Sequence, residues 1–286
     1  MFITMAIVCG LVSMLAYGLA NVFSQPLAQK LGAAQVLFLR GLTIMVVLGA
    51  GAALSHPAIT HYKDIVLVVL LGIGGYLPVL AFTHGIKVSR ISVMAPVAGT
   101  SPLVTVLLSF FILHMHIHAL QWPAIFVVIG ANIAMSVDLK NWRNSNIAQL
   151  SSGVPFALIA ALGWGCFFFA MVYATRWLGP WLAAFLVEVG VTVAAGLHLL
   201  LTSQRVPLRQ AVTRPVILNG MLICVGTVVY AIGVRHYNVS IVATLSNSTA
   251  IVAALVATYK FHEHLTRAEK IAATVMVAGI IVISLF

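Results

Sequence analysis

Residues 85–104 read GIKVSRISVMAPVAGTSPLV, and residues 233–252 read GVRHYNVSIVATLSNSTAIV. The two stretches align without a gap, and the alignment runs on to residues 136 and 284. Shared aliphatic letters arise easily in a chain this apolar, so the polar agreements weigh most. Ser92 falls on Ser240, His114 on His262, His116 on His264 and Ser136 on Ser284. Lys87 falls on Arg235, Thr100 on Ser248 and Ser101 on Thr249. Further upstream, Tyr17-Gly18 matches Trp164-Gly165, and Leu11 and Leu15 match Leu158 and Leu162. The chain therefore reads as two related halves, 1–147 and 148–286.

Its 286 residues are 62% hydrophobic and only 7% charged, with a mean hydropathy of +1.11. A soluble domain carries about 25% charged residues. This composition predicts an all-α integral membrane protein whose surroundings are the lipid bilayer. The net charge of +10 is ascribed to loop lysine and arginine, not to a nucleic-acid surface, because no polar domain exists to present one. Cys9, Cys166 and Cys224 are spaced for neither a disulfide framework nor a zinc site.

A bilayer core needs about 20 apolar residues per helix. Ten spans are expected: 2–23, 34–54, 64–86, 91–113, 120–138, 153–175, 180–202, 214–235, 239–261 and 267–286. The first lacks a basic start and is too long for a signal-peptide core, so it is retained as a helix. Odd-numbered loops hold Lys30, Lys87, Arg90, Lys140, Arg143, Arg205, Arg209, Arg214, Lys260, Arg267 and Lys270. Even-numbered loops hold only Lys63, Arg176 and Arg235. The positive-inside rule then places the odd loops in the cytoplasm and both termini outside, in a multi-pass protein of the plasma (bacterial inner) membrane. A monomer is the expected state.

Five spans per half is an odd number, so the second half must enter the membrane from the opposite side. Inverted repeats of this kind recur in transporters, with substrate bound near the midplane where the repeats meet. A passive scaffold or receptor is the alternative reading of such a duplication. Spans four and nine carry AGTSP (98–102) and SNST (246–249) at matching depths. Thr100, Ser101, Ser246, Asn247 and Ser248 are candidate substrate contacts. Hydroxyls can also bond back to their own helix, whereas an amide such as Asn247 does so less readily. Pro96 and Pro102 are expected helix breaks, Pro102 freeing the carbonyl of Ala98.

Glu188 is the acidic residue well inside a span, about 12 Å deep at the helical rise. It suggests a coupling or counter-charge role, with a structural pair as the plain alternative. Arg40 lies about 9 Å into span two. It could hold a carboxylate, although snorkelling to the interface is the more ordinary fate. Tyr17, Tyr76, Phe82, Trp164 and Tyr230 offer an aromatic wall, and Asn21 sits one turn from Tyr17. HMHIH (114–118) and HEH (262–264) fall on opposite membrane sides and are each too poor in ligands, so no metal or other cofactor is expected. TRAE (266–269) reads as a capping box. GIGGYLP (72–78) lies in a helix and so is no nucleotide loop.

AYGLANVF (16–23) with LGWGCFFF (162–169), FLRG (38–41) after the first loop, and HEHLT (262–266) before the last span resemble the drug/metabolite transporter superfamily, in particular its EamA-type members. The resemblance spans the whole chain. Two departures are plain: Met115 stands where Glu263 stands in the second half, and Thr244 stands where span four has Pro96. The resemblance implies transport of small organic metabolites, such as amino acids, drugs or sugar derivatives, without choosing among them. The expected function is secondary transport by alternating access, not enzymatic catalysis, with export of amphipathic metabolites and amino acids first among them. The alternatives are an organic-cation exporter using Glu188 or, in another class, a histidine-based intramembrane metalloenzyme.

Overall fold

The computed structural model describes residues 2–55, 61–88, 94, 97–114, 119–136, 153–260 and 267–285. The described residues are helical, with no strand among them. In the first half these are α1 (Phe2–Leu31), α2 (Ala33–Leu54), α3 (Tyr62–Val88), α4 (Ser101–Leu113) and α5 (Gln121–Ser136). In the second they are α6 (Val154–Leu178), α7 (Pro180–Leu201), α8 (Arg214–His236), α9 (Val239–Asn247), α10 (Thr249–Lys260) and α11 (Arg267–Leu285). Six of them, α1–α3 and α6–α8, contain segments long and apolar enough to cross a membrane. Large aliphatic side chains such as Val46, Leu77, Leu162 and Leu200 are exposed on the outside, as a lipid-facing surface requires. Pro96 and the histidine segments 115–118 and 262–264 lie outside the described residues.

Two expectations are corrected. Span nine is not one helix. It stops at Asn247, turns at Ser248 (φ −74°, ψ 35°) and restarts at Thr249. Span four shows the matching turn at Gly99 and Thr100 before α4 begins at Ser101. Small polar side chains at both places compete with the backbone ladder for hydrogen bonds, and Pro102 withdraws a donor from the first. The first span is also longer than its apolar run. α1 continues to Leu31 through Pro26, and the Asn219 amide donates to Ser24 Oγ and the Ala20 carbonyl at 2.9 and 2.7 Å.

The halves are interleaved. α1 packs on α8 while α6 packs on α3, α2 packs on α7, and α5 on α11. Glycine contacts repeat between the halves. Gly18 faces Val252, and Gly165 faces Val104. Gly85 faces Met94 and Phe156, and Gly233 faces Val242 and Cys9. Each member of a pair meets the counterpart of what the other meets, under the alignment of the two halves. The turns α1–α2 and α6–α7 repeat as well. Each is a single glycine, Gly32 (φ 103°, ψ 155°) and Gly179 (φ 81°, ψ 162°), in a region open essentially to glycine alone.

A cavity where the helix breaks meet

A cavity opens among these helices. Each wall is a stripe at helical spacing. α1 contributes Tyr17, Asn21 and Ser24; α3 contributes Val79, Phe82 and Thr83; α6 contributes Trp164, Phe167 and Phe168. Glu188 and Val191 come from α7, Ile223 and Thr227 from α8, and Arg40 from α2. The two breaks close the remaining side with Ala98, Gly99, Ser246, Asn247 and Thr249. They touch one another, since Ser101 Oγ donates to Asn247 Oδ1 at 3.0 Å, while the Asn247 amide nitrogen, against expectation, donates back to the Ala243 carbonyl of its own helix at 2.9 Å.

Of the residues expected from sequence, Tyr17, Asn21, Phe82, Trp164, Ser246, Asn247, Arg40 and Glu188 line this cavity. Five others do not. Thr100 bonds back to the carbonyl of Val97 at 2.7 Å, and Ser248 to that of Thr244 at 2.8 Å. Ser101 is buried beneath Asn247. Tyr76 stands one turn away from the cavity stripe of α3, edge-on to His198 at 5.9 Å. Tyr230 is fully buried, its ring 4.7 Å from that of Phe168 and its hydroxyl donating to the Phe168 carbonyl.

Sequence reading missed Ser24, Thr83, Thr227, Phe167 and Phe168. Helical spacing could have found them, because each lies three, four or seven residues from a neighbour already singled out or from a lining residue of the same helix.

The polar groups form a connected chain. Tyr17 Oη donates to Thr227 Oγ1 at 3.2 Å, and Thr227 Oγ1 donates to Glu188 Oε1 at 3.2 Å. Thr192 Oγ1 donates to the Glu188 carbonyl at 2.8 Å and so anchors the backbone beneath it. Gly41 makes room for that threonine, which fills the space a Cβ would take. Arg40 does not snorkel. It is buried, it lines the same cavity, and it interacts electrostatically with Glu188 and Tyr17. α2 and α7 pack side by side, which brings the two charges together despite their entry from opposite ends. No group of three or more potential metal ligands occurs among the described residues.

The sequence of each half matches a known family. The EamA-like transporter family model fits residues 4–137 and again residues 151–285. The chain belongs to the EamA-like transporter family. No curated relative matches significantly. Among the similar solved structures is one crystal structure, described only as that of a protein. It superimposes with a TM-score of 0.74 over 98% of this chain and 96% of that one, at 17% identity. At that identity the likeness speaks for the fold alone. Membership makes this EamA-like chain a multi-pass membrane transporter of the drug/metabolite type.

Proposed function

We propose that the chain is a ten-span secondary transporter built from two inverted five-span repeats, 1–147 and 148–286. It exports small amphipathic metabolites, amino acids first among them, by alternating access from a bacterial inner or other plasma membrane. The observation that carries this reading is a one-sided cavity in a two-sided molecule. Ser24, Phe82 and Thr83 line the cavity, near the ends of α1 and α3 that adjoin loops one and three. Their counterparts in the other half, Met171, Tyr230 and Ala231, are closed into the core. Exchanging the two arrangements would close one side and open the other around a fixed site. Loop charge makes the open side the cytoplasmic one, with both termini outside. A C-terminal reporter active only in the cytoplasm would refute that orientation.

Broken helices meeting at the centre support the same site, because unwound backbone is tolerated in a membrane where it lines a cavity. An organic-cation exporter using Glu188 fits less well, since Arg40 shares the cavity and repels a lone cation. The test is counterflow of labelled amino acids into vesicles holding the purified protein. Flux above empty vesicles is expected, and Asn247→Ala is expected to lower it. Absence of flux for every amino acid removes the cargo assignment. Normal flux in the variant removes the central polar contact.

A further inference from the structure

We infer that the cavity selects solutes carrying both charges, a carboxylate and an ammonium a few ångströms apart, with an apolar side group. This rests on the transport reading and names the cargo's chemistry. Arg40 and Glu188 line one cavity from packed helices and are electrostatically coupled, yet they do not satisfy one another. Glu188 takes its side-chain hydrogen bond from Thr227. The Arg40 guanidinium has five N–H donors and lines the cavity beside Glu188. The guanidinium faces the cavity, and its planar fork matches a carboxylate with two parallel bonds. A solute carboxylate on Arg40 leaves Glu188 facing the solute's ammonium, with Asn21 at hand for a further hydrogen bond. Phe82 and Trp164, ring centroids 5.0 Å apart, then receive the apolar group with Phe168 beside them.

A solute with one charge leaves the other protein charge desolvated and unpaired. It should bind about tenfold to a hundredfold more weakly, the worth of a charge-assisted hydrogen bond. The probes are L-phenylalanine, phenethylamine, which lacks the carboxylate, and hydrocinnamate, which lacks the ammonium. Two readouts are used on the full-length protein: thermal stabilisation in detergent, and competition against labelled phenylalanine in vesicles. Wild type should prefer phenylalanine over both analogues. Arg40→Gln should lose the preference over phenethylamine and keep that over hydrocinnamate, and Glu188→Gln should do the reverse. Arg40→Lys retains the charge without the fork and should give an intermediate preference even if the glutamine variant folds poorly. Equal affinity of wild type for all three probes, or equal weakening of all three in each variant, overturns the inference. Selective binding without flux overturns the transport reading and leaves this one standing.

Discussion

Two helix crossings occupy equivalent places in the two halves, and they differ in what faces the central glycine. Where α3 crosses α7, Gly72 lies against Val187 and Gly190. Where α8 crosses α2, its counterpart Gly220 lies against Arg40 and Thr43. At the first crossing a methyl on Gly72 would run into the Val187 carbonyl oxygen, and one on Gly190 into that of Val69. At the second, a methyl on Gly220 would sit 2.9 Å from Thr43 Cβ and 3.1 Å from the Arg40 carbonyl oxygen. Glycine on both helices lets two backbones touch, whereas the threonine holds the second pair apart. The tight crossing belongs to the closed side of the molecule and the looser one to the side where the cavity opens. Side chains reinforce the difference. Tyr230 and Arg235 donate to the carbonyls of Phe168 and Thr175 on the closed side. Their counterparts are Phe82, which has no hydroxyl, and Lys87, which is exposed. Under the alternating access proposed above, these contacts favour one of the two arrangements.

The largest expected effect comes from breaking the tight crossing. Gly190→Val meets backbone on all sides, so no rotamer relieves it, and it should destabilise the closed side by about 3 kcal/mol. A cysteine at Met171, buried in the parent, should then become reactive to a water-soluble thiol reagent. An unreactive cysteine would mean that this crossing does not seal the closed side. Next come the two one-residue turns. Gly32→Ala and Gly179→Ala should each cost about 1–3 kcal/mol, read as similar drops in melting temperature. Clearly unequal drops would argue against equivalence of the halves. Thr43→Gly should tighten the second crossing and shift the balance by roughly 1 kcal/mol, about a fivefold change in population. Slower alkylation of Ser24→Cys would report it, and an unchanged rate would show that Thr43 does not hold the crossing open. The smallest effect belongs to Tyr230→Phe, which makes that position like Phe82 and removes one buried hydrogen bond worth roughly 0.6 kcal/mol in a membrane protein. A slight rise in Met171→Cys reactivity is expected, and a fall would contradict a clasp at Tyr230.

Much of this architecture could be read from letters alone. Apolar runs located the long helices to within a few residues, because hydrocarbon demands them whatever their neighbours. The exception is α1, which runs past its expected end to Leu31, and Asn219, distant in sequence, donates to its Ser24 and Ala20. The cavity was legible at residues of unusual chemistry for a membrane, namely Glu188, Arg40, Asn21 and Asn247. It was not legible at hydroxyls. Thr227 and Thr100 look alike in a sequence, yet Thr227 supports Glu188 while Thr100 folds back on Val97. A hydroxyl has that choice in any helix, and only the neighbouring helices decide which way it turns.

The amino-acid sequence by itself determined the membrane environment, the two related halves and the polar clusters at matching depth. These follow from hydration and hydrogen-bonding needs that each segment carries alone. The tertiary structure decided that Arg40 and Glu188 share a cavity, that Tyr230 closes rather than lines it, and that one glycine crossing is tighter than its twin. Those outcomes depend on how close two backbones can come, and that distance belongs to pairs of helices rather than to either one.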